Sequence, residues 1–501
     1  MFASVNSATL MGITGSAMSV EVHVGNGLPG FTIVGTPDEA CRESRDRVRA
    51  AMLSCGFVWP SRRITVNLAR SGLRKGGSGL DLAIAVGILV AEGVVPASAI
   101  EGFAFVAELG LDGRLRSVPG VVPLIAAVGD LRIVAARGAV PAGLSVARKV
   151  VCAESLADVV SALVGEGEWL VPDSSGDVRR VVSRGIDLAD VKGQPVARFA
   201  LEVAAAGGHH LLLSGPPGLG KTMLANRLPT LLPALSGDAA VTATLIHSAA
   251  GLQLVDGVVS EPPFRAPHHS SSTVAMVGGG DTGMRPGEVS LASFGVLFLD
   301  EMGEFAPTTL DALRQPLEEG VVRVARARAC LTLPAKFLLV GSTNPCPCGG
   351  GAPGSCVCDD ASVARYLRRL SGPLLDRFDL RVAVDRPDAA QIVSSEVGES
   401  SASVRERVVK VREMSLARGC LNGDIGQDSL DSIAPLTGEA IELLRDALES
   451  GQLTGRGYHR VRRAARTIAD LRSGGHEIGA DDVIAALSLR QALLRRSRVR
   501  V

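Results

Sequence analysis

The sequence predicts a multidomain α/β protein whose central part is a doubly wound parallel sheet. Two observations carry this prediction. Between residues 185 and 390, short apolar segments alternate with helix-compatible segments, as strands and crossover helices do in such a sheet. Outside this region the pattern changes, to mixed strands and helices in residues 1–165 and to helices alone in residues 395–501. A chain of 501 residues is also long enough for two to four domains at roughly 100–200 residues each.

The first region is predicted to be an α+β domain, and it is followed by a linker. Alternation of polar and apolar residues predicts strands, whereas a one-sided distribution of charges and a short apolar run predict helices. The polar, turn-rich residues 166–184 are the expected linker. The expected elements are strands at Ser19–Val24 and Ile64–Leu68 and helices over residues 39–53 and 81–90.

The central region is predicted to be an ATPase domain, and the last region to be helical and rich in arginine. In the centre we expect strands at residues 210–214, 296–299 and 337–340, helices over 222–232 and 308–318, and a β-hairpin over 321–333. After residue 395 we expect amphipathic helices over 457–471 and 481–494.

Composition and charge limit the possible functions. The chain has 52 basic and 52 acidic residues, so DNA contacts must come from local patches rather than from the overall charge. The N-terminus lacks a charged segment followed by a long apolar stretch. The most apolar run, Leu82–Val90, is shorter than the roughly 20 residues that span a bilayer. We therefore expect a cytoplasmic protein with no membrane partner.

A glycine-rich loop is the strongest single motif. It follows the strand expected at 210–214 and leads into the helix expected at 222–232. Backbone N–H groups of such a loop cradle phosphates, while its lysine reaches the β- and γ-phosphates and its threonine binds Mg²⁺. ATP and Mg²⁺ are therefore the predicted ligands. The loop consists of Gly215, Pro216, Pro217, Gly218, Leu219, Gly220, Lys221 and Thr222.

Two further strands end in polar residues that suit ATP hydrolysis. The apolar segment Gly295–Leu299 ends in Asp300 and Glu301. This arrangement places Asp300 beside Mg²⁺, with the loop residue Thr222, and Glu301 against the attacking water. The strand at 337–340 leads to Asn344, which is either a catalytic amide or a turn-forming residue before a proline.

Two arginines are candidates for contacts with the nucleotide. Arg377 lies in a short segment between a predicted helix and a strand, where an arginine finger would reach the γ-phosphate of a neighbouring subunit. An ion pair with Asp376 or Asp379 is the alternative. Arg456, at the start of a basic helix, is a candidate sensor that reaches back to the nucleotide.

Four of the nine cysteines cluster between residues 346 and 358. A disulfide framework is not expected in a reducing compartment. Four thiols separated by Gly and Pro turns are able to bind Zn²⁺ tetrahedrally, although the C-x-C spacing is tighter than the usual C-x₂-C. Structural zinc and free or redox-active thiols both remain open for Cys346, Cys348, Cys356 and Cys358.

The segment between the glycine-rich loop and the acidic pair Asp300–Glu301 contains a further candidate site for ligand or DNA contacts. Paired histidines in Phe264–Ser270 suit a metal or phosphate contact, or simply an ordered loop. The following glycines at 278–280 and the arginine of Arg285–Glu288 favour a pore loop or a DNA-contacting loop.

Taken together, these motifs resemble the magnesium-chelatase-related AAA+ ATPases of the YifB/ComM type. The resemblance rests on Phe264–His269, Pro286–Leu291, Gly295–Glu301, Asn344–Cys348 and Ser371–Arg377, and it extends over nearly the whole chain. It implies an AAA+ module that works in a homo-oligomeric ring, usually a hexamer. It implies that Asn344 orients the hydrolytic water from between the two strands that carry the Walker motifs. For the ComM branch it implies a DNA helicase that promotes branch migration.

The N-terminal region resembles the Lon-protease-like domain of the same family, which raises the hypothesis of a protease. Lon-like sites place a serine after a Lys-x-Gly turn and a catalytic lysine about 40 residues later. No lysine occurs between Lys75 and Lys149, so a Ser–Lys dyad lacks its base. A DNA-remodelling motor is therefore the favoured function, and a chelatase-like ATPase subunit or protein remodeller is the alternative.

Overall fold

The computed structural model describes residues 1–35, 39–69, 78–140, 149–172, 185–252, 254, 257–280, 284–326, 329–350, 356–370, 372–386, 398–472 and 475–490. Within them the chain forms one large sheet before residue 185, a second sheet after it, and a set of helices after residue 398. The first sheet has its own apolar core, whereas the second sheet shares a core with the C-terminal helices.

In its described residues, the N-terminal layer contains a seven-stranded sheet, a two-stranded sheet and four α-helices. Its elements are β1 Phe2–Met11, β2 Thr14–Gly25, β3 Gly30–Val34, α1 Glu39–Ser54, β4 Arg63–Ala69, α2 Asp81–Ala91, β5 Phe103–Phe105, β6 Glu108–Leu109, β7 Leu115–Arg116, α3 Val121–Ala127, β8 Arg132–Ala136, β9 Val150–Ala153 and α4 Leu156–Val164. Seven strands lie in the order β3-β4-β2-β1-β5-β8-β9. The neighbours of β2 are antiparallel to it, and the other pairs are parallel.

Hydrophobicity explains the prominent elements of this layer. Helix α2 packs against β1 and β2 and is buried everywhere except at Val90, as its apolar sequence requires. Strand β1 is absent from the sequence-based prediction because its buried face includes small or polar residues, such as Ala3 and Ser7. The two strands predicted here are present in β2 and β4, with longer bounds.

The predicted linker at 166–184 begins too early. Leu170 exchanges backbone hydrogen bonds with Cys152 of β9, with N···O distances of 2.7 and 3.0 Å. The ring of Trp169 lies 5.4 Å from that of Phe103 and packs against the N-terminal core. These contacts make residues up to Leu170 part of the N-terminal layer, and residues 173–184 lie outside the described residues.

The central region contains a five-stranded sheet in the order β11-β14-β17-β10-β18, where β10 is Leu211–Ser214, β11 Phe264–Arg265, β14 Val296–Leu299, β17 Leu338–Thr343 and β18 Leu380–Ala383. All four pairs are parallel. The other elements are α5 Pro195–Gly207, α6 Lys221–Leu231, α7 Gly237–Ala249, α8 Thr273–Val277, β12 Gly278–Gly279, β13 Arg285–Pro286, α9 Glu288–Leu291, α10 Pro307–Asp311, α11 Arg314–Glu319, β15 Val321–Arg326, β16 Ala329–Pro334, α12 Asp360–Arg369 and α13 Gly372–Leu375. This mixed α/β module with a parallel sheet fits an AAA+-like ATPase module.

One central helix differs from its prediction. The helix expected over 308–318 is divided into α10 and α11, which are separated at Ala312 and Leu313. Pro316 lies in the run, and proline lacks an N–H and is tolerated in the first turn of a helix. The interruption places Pro316 in the first turn of α11.

The C-terminal helices pack against α5 and α6 and share the apolar core of the central sheet. They are α14 Ser401–Ala417, α15 Leu430–Ile433, α16 Gly438–Glu449, α17 Gly455–Arg472 and α18 Ala480–Ser488. The helix expected over 481–494 therefore ends at Ser488, and residues 491–501 lie outside the described residues. Arg490 donates to the carbonyl oxygens of Phe378 and Asp379 at 2.7 and 2.8 Å, which ties the residues after α18 to the start of β18.

The N-terminal layer also contacts the central module. Gly120 N donates to Ser248 O at 2.7 Å, and Val122 N donates to Ser248 Oγ at 3.3 Å. These bonds join α3 to α7, and apolar residues of the segment after α7 extend the contact. None of the helices in the described part of the chain is long and apolar enough to cross a membrane.

Candidate nucleotide-binding and hydrolysis site

The predicted phosphate loop joins strand β10, next to the central strand β17, to α6. Gly218 and Gly220 have φ angles of +80° and +85°, a left-handed conformation that glycine adopts without steric cost. A Cβ on Gly215 would lie 2.5 Å from Val384 O, so this position also needs glycine. Gly220 caps α6 without a side-chain hydrogen bond, which leaves the first N–H groups of the helix without a side-chain cap. This geometry suits phosphate oxygens.

Lys221 is buried inside the loop. Its Nζ donates to Gly215 O at 2.5 Å, to Pro216 O at 2.8 Å and to Asn344 Oδ1 at 3.1 Å. Burial lowers the pKa of Lys221, while the nearby charges of Asp300 and Glu301 act in the opposite direction. The lysine ammonium and the Asn344 amide therefore share one small space at the end of the sheet.

Asn344 reaches this space because of the strand order. It follows β17, and β17 lies between the loop strand β10 and the acidic strand β14. The carboxyl ends of parallel strands meet at one edge of the sheet, where ligands of open α/β sheets bind. The strand order therefore matches the position that the family resemblance implies for Asn344.

Thr222 and Asp300 are in direct contact. Thr222 Oγ1 donates to Asp300 Oδ2 at 2.8 Å, although the two residues lie on different elements. A hydroxyl and a carboxylate are hard oxygen donors of the kind that Mg²⁺ prefers. The residues present thus fit the predicted magnesium site.

Ser342 also belongs to this site, and the sequence analysis missed it. Its Oγ donates to Asp300 Oδ1 at 2.5 Å and accepts from Glu301 N at 3.0 Å. Ser342 thereby fixes the orientation of both acidic residues from the neighbouring strand. The signal in the sequence was the pair of hydroxyl residues Ser342 and Thr343 at the end of a strand that starts with apolar residues, and both are buried in the structure.

Glu301 has an unusual backbone. Its φ is +51°, in the left-handed region, and the residue is exposed. Asp300 Oδ1 accepts from Glu301 N at 3.1 Å, which supports this turn. A left-handed glutamate is uncommon, and strained residues of this kind cluster at functional sites.

Arg377 does not form the ion pair considered as its alternative. Its partner is Glu318 at the end of α11 rather than Asp376 or Asp379. Burial lowers the pKa of Arg377, as do the positive charges of Arg460, Arg456 and Arg314. The arginine therefore lies in a concentration of positive charge.

Arg456 is an exposed member of the same group. Its Nη1 lies 3.9 Å from Asp376 Oδ2, and 72% of its side chain is exposed. One turn further along α17, Arg460 pairs with the buried carboxylate of Asp379 and donates to Arg377 O at 3.0 Å. The role of Arg456 as a sensor stays a prediction.

Arginines of the C-terminal helices are mostly engaged within the protein. Arg462 donates to Asp431, and Arg466 pairs with the buried Asp470, at 2.6 and 2.7 Å. The arginine richness that favoured DNA binding thus serves packing at these positions. Further internal ion pairs join Arg407 to Glu202, Arg418 to Asp470 and Arg472 to Asp482.

The loop at 264–270 is held by contacts within the protein, and a phosphate contact of its histidines stays a prediction. Arg265 donates two hydrogen bonds to Glu288, at 2.6 and 2.7 Å. His268 contacts Ser270 Oγ at 2.8 Å and stacks near His269, with ring centroids 4.0 Å apart. Among the described residues, neither histidine belongs to a group of three or more possible metal ligands.

The glycines that follow belong to the two-stranded antiparallel pair β12–β13. Gly278 and Gly279 pair with Pro286 and Arg285, and a Cβ on Gly278 would lie 2.7 Å from Arg285 O. Residues 281–283 lie outside the described residues, and Arg285 is exposed.

Lys149 is the lysine of the N-terminal layer that the structure describes, and its ammonium group contacts a backbone carbonyl and an aspartate. Lys149 Nζ donates to Gly129 O at 2.7 Å and lies 3.4 Å from Asp130. Lys75 and the turn around it lie outside the described residues.

The four clustered cysteines converge. Their sulfur atoms all lie within 4.8 Å of one another, and they form the one such group of possible metal ligands found among the described residues. Cys346 is buried, and the structure has no disulfide between these cysteines.

The site consists of a phosphate loop after strand β10, an acidic pair after strand β14 and an amide after β17, the strand between them. This arrangement defines a P-loop ATPase of the AAA+ class. Comparisons with known proteins agree with this class. Three family descriptions match successive parts of the chain: "Subunit ChlI of Mg-chelatase" at residues 20–136, "Magnesium chelatase, subunit ChlI" at 187–392 and its C-terminal counterpart at 398–490.

Similar proteins identify the family more closely. The chain is 43% identical to competence protein ComM of Haemophilus influenzae, over 97% of each chain. It is 40% identical to the uncharacterized protein YifB of Escherichia coli, over 98% of this chain and 96% of that protein. A more distant match, 28% identical over 194 residues, covers 38% of this chain and 25% of the probable DNA helicase MCM9 of Arabidopsis thaliana. The chain belongs to the YifB/ComM-type family of magnesium-chelatase-related AAA+ ATPases. ATP and Mg²⁺ use are implied by that family.

Proposed function

We propose that the protein is a ring-forming motor that uses ATP hydrolysis to move on DNA, as a helicase or branch-migration factor in DNA uptake or recombination. The observation that carries the proposal is the convergence of Lys221, Thr222, Asp300 and Asn344 at one edge of a parallel sheet. The DNA substrate is supported by relatives whose names are a competence protein and a probable DNA helicase. The proposal includes a homohexameric ring and a cytoplasmic location.

Each residue has a distinct role in this proposal. The loop amides and Lys221 would bind the phosphates. Thr222 and Asp300 would hold Mg²⁺, which would neutralise part of the phosphate charge. Glu301 activates the attacking water, and Asn344 orients it. Glu301 is exposed beside the buried Lys221, as a residue that takes a proton from water needs to be.

The proposed ring is supported by the surroundings of Arg377. Arginine fingers act in trans on the γ-phosphate of a neighbour, where they offset developing negative charge. Arg377 lies with Arg314, Arg456 and Arg460, so this part of the subunit presents a positive field. We propose that Arg377 exchanges its partner Glu318 for the nucleotide of the adjacent subunit.

The antiparallel pair β12–β13 is the proposed DNA contact. Arg285 of β13 is exposed, whereas Arg265 of the nearby strand β11 is engaged by Glu288. Glycine backbones and a single cation suit sequence-independent contact with phosphates. We expect DNA affinity to fall for Arg285→Ala and to be unchanged for Arg368→Ala, an exposed arginine on α12.

A chelatase-like ATPase subunit or a protein remodeller is the second candidate. It is favoured by the family descriptions, all of which concern a magnesium chelatase subunit. The two candidates differ in what stimulates hydrolysis: DNA for the first, and a partner protein for the second.

The deciding experiment measures ATPase rates of the purified full chain with no DNA, with single-stranded DNA and with branched DNA. The proposal expects stimulation by DNA and strand displacement that requires ATP, both lost in Glu301→Gln. Absence of DNA binding by the assembled ring at low salt would refute the DNA motor, since phosphate contacts are strongest there. Stimulation by a partner protein alone would favour the second candidate.

A further inference from the structure

Four cysteine sulfurs occupy a space of the size that a metal ion needs. Cys346 Sγ lies 3.4 Å from Cys348 Sγ and 3.5 Å from Cys356 Sγ, and Cys348 Sγ lies 3.8 Å from Cys356 Sγ. Cys358 belongs to the same group. Tetrahedral Zn²⁺ with Zn–S bonds of roughly 2.3 Å separates its sulfurs by about 3.8 Å. The observed separations therefore match a four-thiolate zinc site.

Convergence of all four sulfurs favours a metal over a disulfide. A disulfide joins two sulfurs at roughly 2.05 Å and gives the remaining pair no reason to approach. In this group each of Cys346, Cys348 and Cys356 lies within 4 Å of the other two. Gly350 N also donates to Cys348 Sγ at 3.4 Å, a bond of the type that supports metal-bound thiolates.

The cysteine turn lies against the nucleotide site. Cys346 comes two residues after Asn344, whose Oδ1 accepts from Lys221. Further along the turn, Gly349 has φ +72°, and a Cβ there would lie 2.9 Å from Cδ of Pro217 in the phosphate loop. The turn thus connects the Asn344 amide on one side with the phosphate loop on the other.

We propose that Cys346, Cys348, Cys356 and Cys358 bind one structural Zn²⁺, which holds the turn after Asn344 against Pro217 of the phosphate loop. The metal assignment is independent of the proposed function, whereas its effect on ATP turnover depends on it. Zinc here positions residues of the nucleotide site and takes no part in the reaction. Four thiols must lose their protons to bind it, so metal binding releases protons.

The first test measures the metal itself in the full-length wild-type protein. Elemental analysis should find one zinc per chain, and a mercurial should release it into a zinc-sensitive dye. Thiol titration of the denatured, zinc-free protein should find all nine cysteines reduced. Zinc well below one per chain in protein purified with zinc, or disulfides within the cluster, would overturn the assignment.

The second test compares variants. Cys356→Ser/Cys358→Ser should lose the zinc, lower the ATPase kcat by about tenfold and change nucleotide affinity by less than about threefold. Cys330→Ser, an exposed cysteine on β16 outside the cluster, should keep both zinc and rate. Circular dichroism and ring assembly serve as folding controls.

The outcomes separate the two proposals. One zinc per chain in a protein without ATPase activity leaves the zinc site correct and contradicts the proposed function. A zinc-free double variant with the wild-type rate contradicts the positioning role. Should the double variant fail to fold, the zinc and thiol measurements on the wild-type protein still decide the metal assignment.

Discussion

The N-terminal layer and the central module each contain a cluster of charged and hydroxyl groups, the first between helices α1 and α2 and the second at the edge of the sheet. The two clusters differ in how far they are enclosed. In the N-terminal layer, Asp81 is completely buried and accepts from Ser44 at 2.5 Å and from Arg47 at 2.6 and 3.1 Å. In the central sheet, Asp300 contacts Thr222 and Ser342, yet Thr222 and its neighbour Glu301 are exposed.

The difference in enclosure indicates that the Asp81 cluster contributes to stability and the Asp300 cluster to catalysis. A buried carboxylate is tolerated only when its partners satisfy it, and the Asp81 cluster is of this kind. Hydroxyl and carboxylate groups at an open edge of a parallel sheet remain accessible to ligands, as in the Asp300 cluster. Substitutions in the first cluster should therefore change folding, and those in the second should change turnover.

The largest expected effect on ATPase activity tests whether the nucleotide site needs an arginine from the adjacent subunit. Arg377→Ala should lower kcat by roughly 10³–10⁵-fold, the range for arginine fingers, with ATP binding retained. The measurement is steady-state ATPase activity, with Arg365→Ala, an exposed arginine of α12, as the matched control.

Mixing subunits sharpens this test. Rings formed from Arg377→Ala and Lys221→Ala subunits contain some interfaces with an intact loop and an intact arginine. We expect the mixture to exceed the activity of either variant alone. Equal inactivity of the mixture would contradict action in trans.

Loss of the catalytic acid should have the next largest effect. Glu301→Gln should lower kcat by roughly 10²–10⁴-fold, because the amide cannot take a proton from water. Binding of a fluorescent ATP analogue should be unchanged. Glu304→Gln, in the same segment and 3.6 Å from Arg369, is the matched control and should keep the rate. Turnover that survives Glu301→Gln would show that another residue activates the water.

The enclosed cluster should respond in stability. Arg47→Met leaves the Asp81 carboxylate buried without its cation, and the free energy of unfolding should fall by about 3 kcal/mol. ATPase activity per folded chain should stay at the wild-type level. Arg45→Met, whose partner Asp46 is exposed, should leave the melting temperature unchanged. An equal loss of stability in both variants would show that the burial of Asp81 is not the cause of the effect.

Ser342→Ala tests the support of the central cluster. The hydroxyl positions Asp300 and the backbone of Glu301 without touching the nucleotide in the proposed scheme. We expect kcat to fall by about tenfold, as for other groups that orient a ligand of a metal, with weakened Mg²⁺ dependence as the second readout. A change in rate without a shift in the Mg²⁺ titration would contradict this positioning role.

Substitution of the buried carboxylates Asp81 and Asp379 should give the smallest effects. The contributions of these two groups to stability should depend on pH in opposite ways. Burial raises the pKa of Asp81 despite the hydrogen bonds from Arg47 and Ser44. Burial also opposes ionisation of Asp379, but the nearby His209 and Arg460 outweigh it and hold the pKa of Asp379 well below its usual value.

The direction in which stability changes with pH depends on whether the folded or the unfolded protein binds more protons. Folded protein binds more protons at Asp81 than unfolded protein does, so its contribution to stability increases as pH falls toward 4. Asp379 contributes stability above its unfolded pKa of roughly 3.9, and this contribution is lost below that pH. We therefore expect wild type to gain stability relative to Asp81→Asn as the pH falls toward 4, and to lose stability relative to Asp379→Asn only as the pH falls below about 3.9. Melting temperatures of the three proteins, measured from pH 7 down to about pH 2, check both expectations. Parallel curves would contradict the assignment.

Much of the nucleotide site was predictable because it follows local rules. Strand β14 has the predicted bounds Val296–Leu299, and the loop and Asp300 lie next to elements with strong patterns. Contacts between distant segments were not predictable in this way. Nothing near Arg377 in the sequence indicates Glu318 as its partner, and Ser342 acts across two strands.

The arginine content of a helix predicted function less well than the position of a residue within a motif did. The arginines of α17 favoured DNA contact, yet Arg462 and Arg466 are buried in ion pairs of the helical packing. An amphipathic pattern shows which face of a helix is polar but not whether a neighbouring acid covers it.

The left-handed backbone of Glu301 implies that the chain gives up stability at this position. A non-glycine residue with φ near +51° costs roughly 1 kcal/mol or more relative to glycine. Glu301→Gly should therefore melt at a higher temperature and be inactive. A search for thermostable variants that ignored activity would favour this substitution, so position 301 is a site where selection for function and selection for stability conflict.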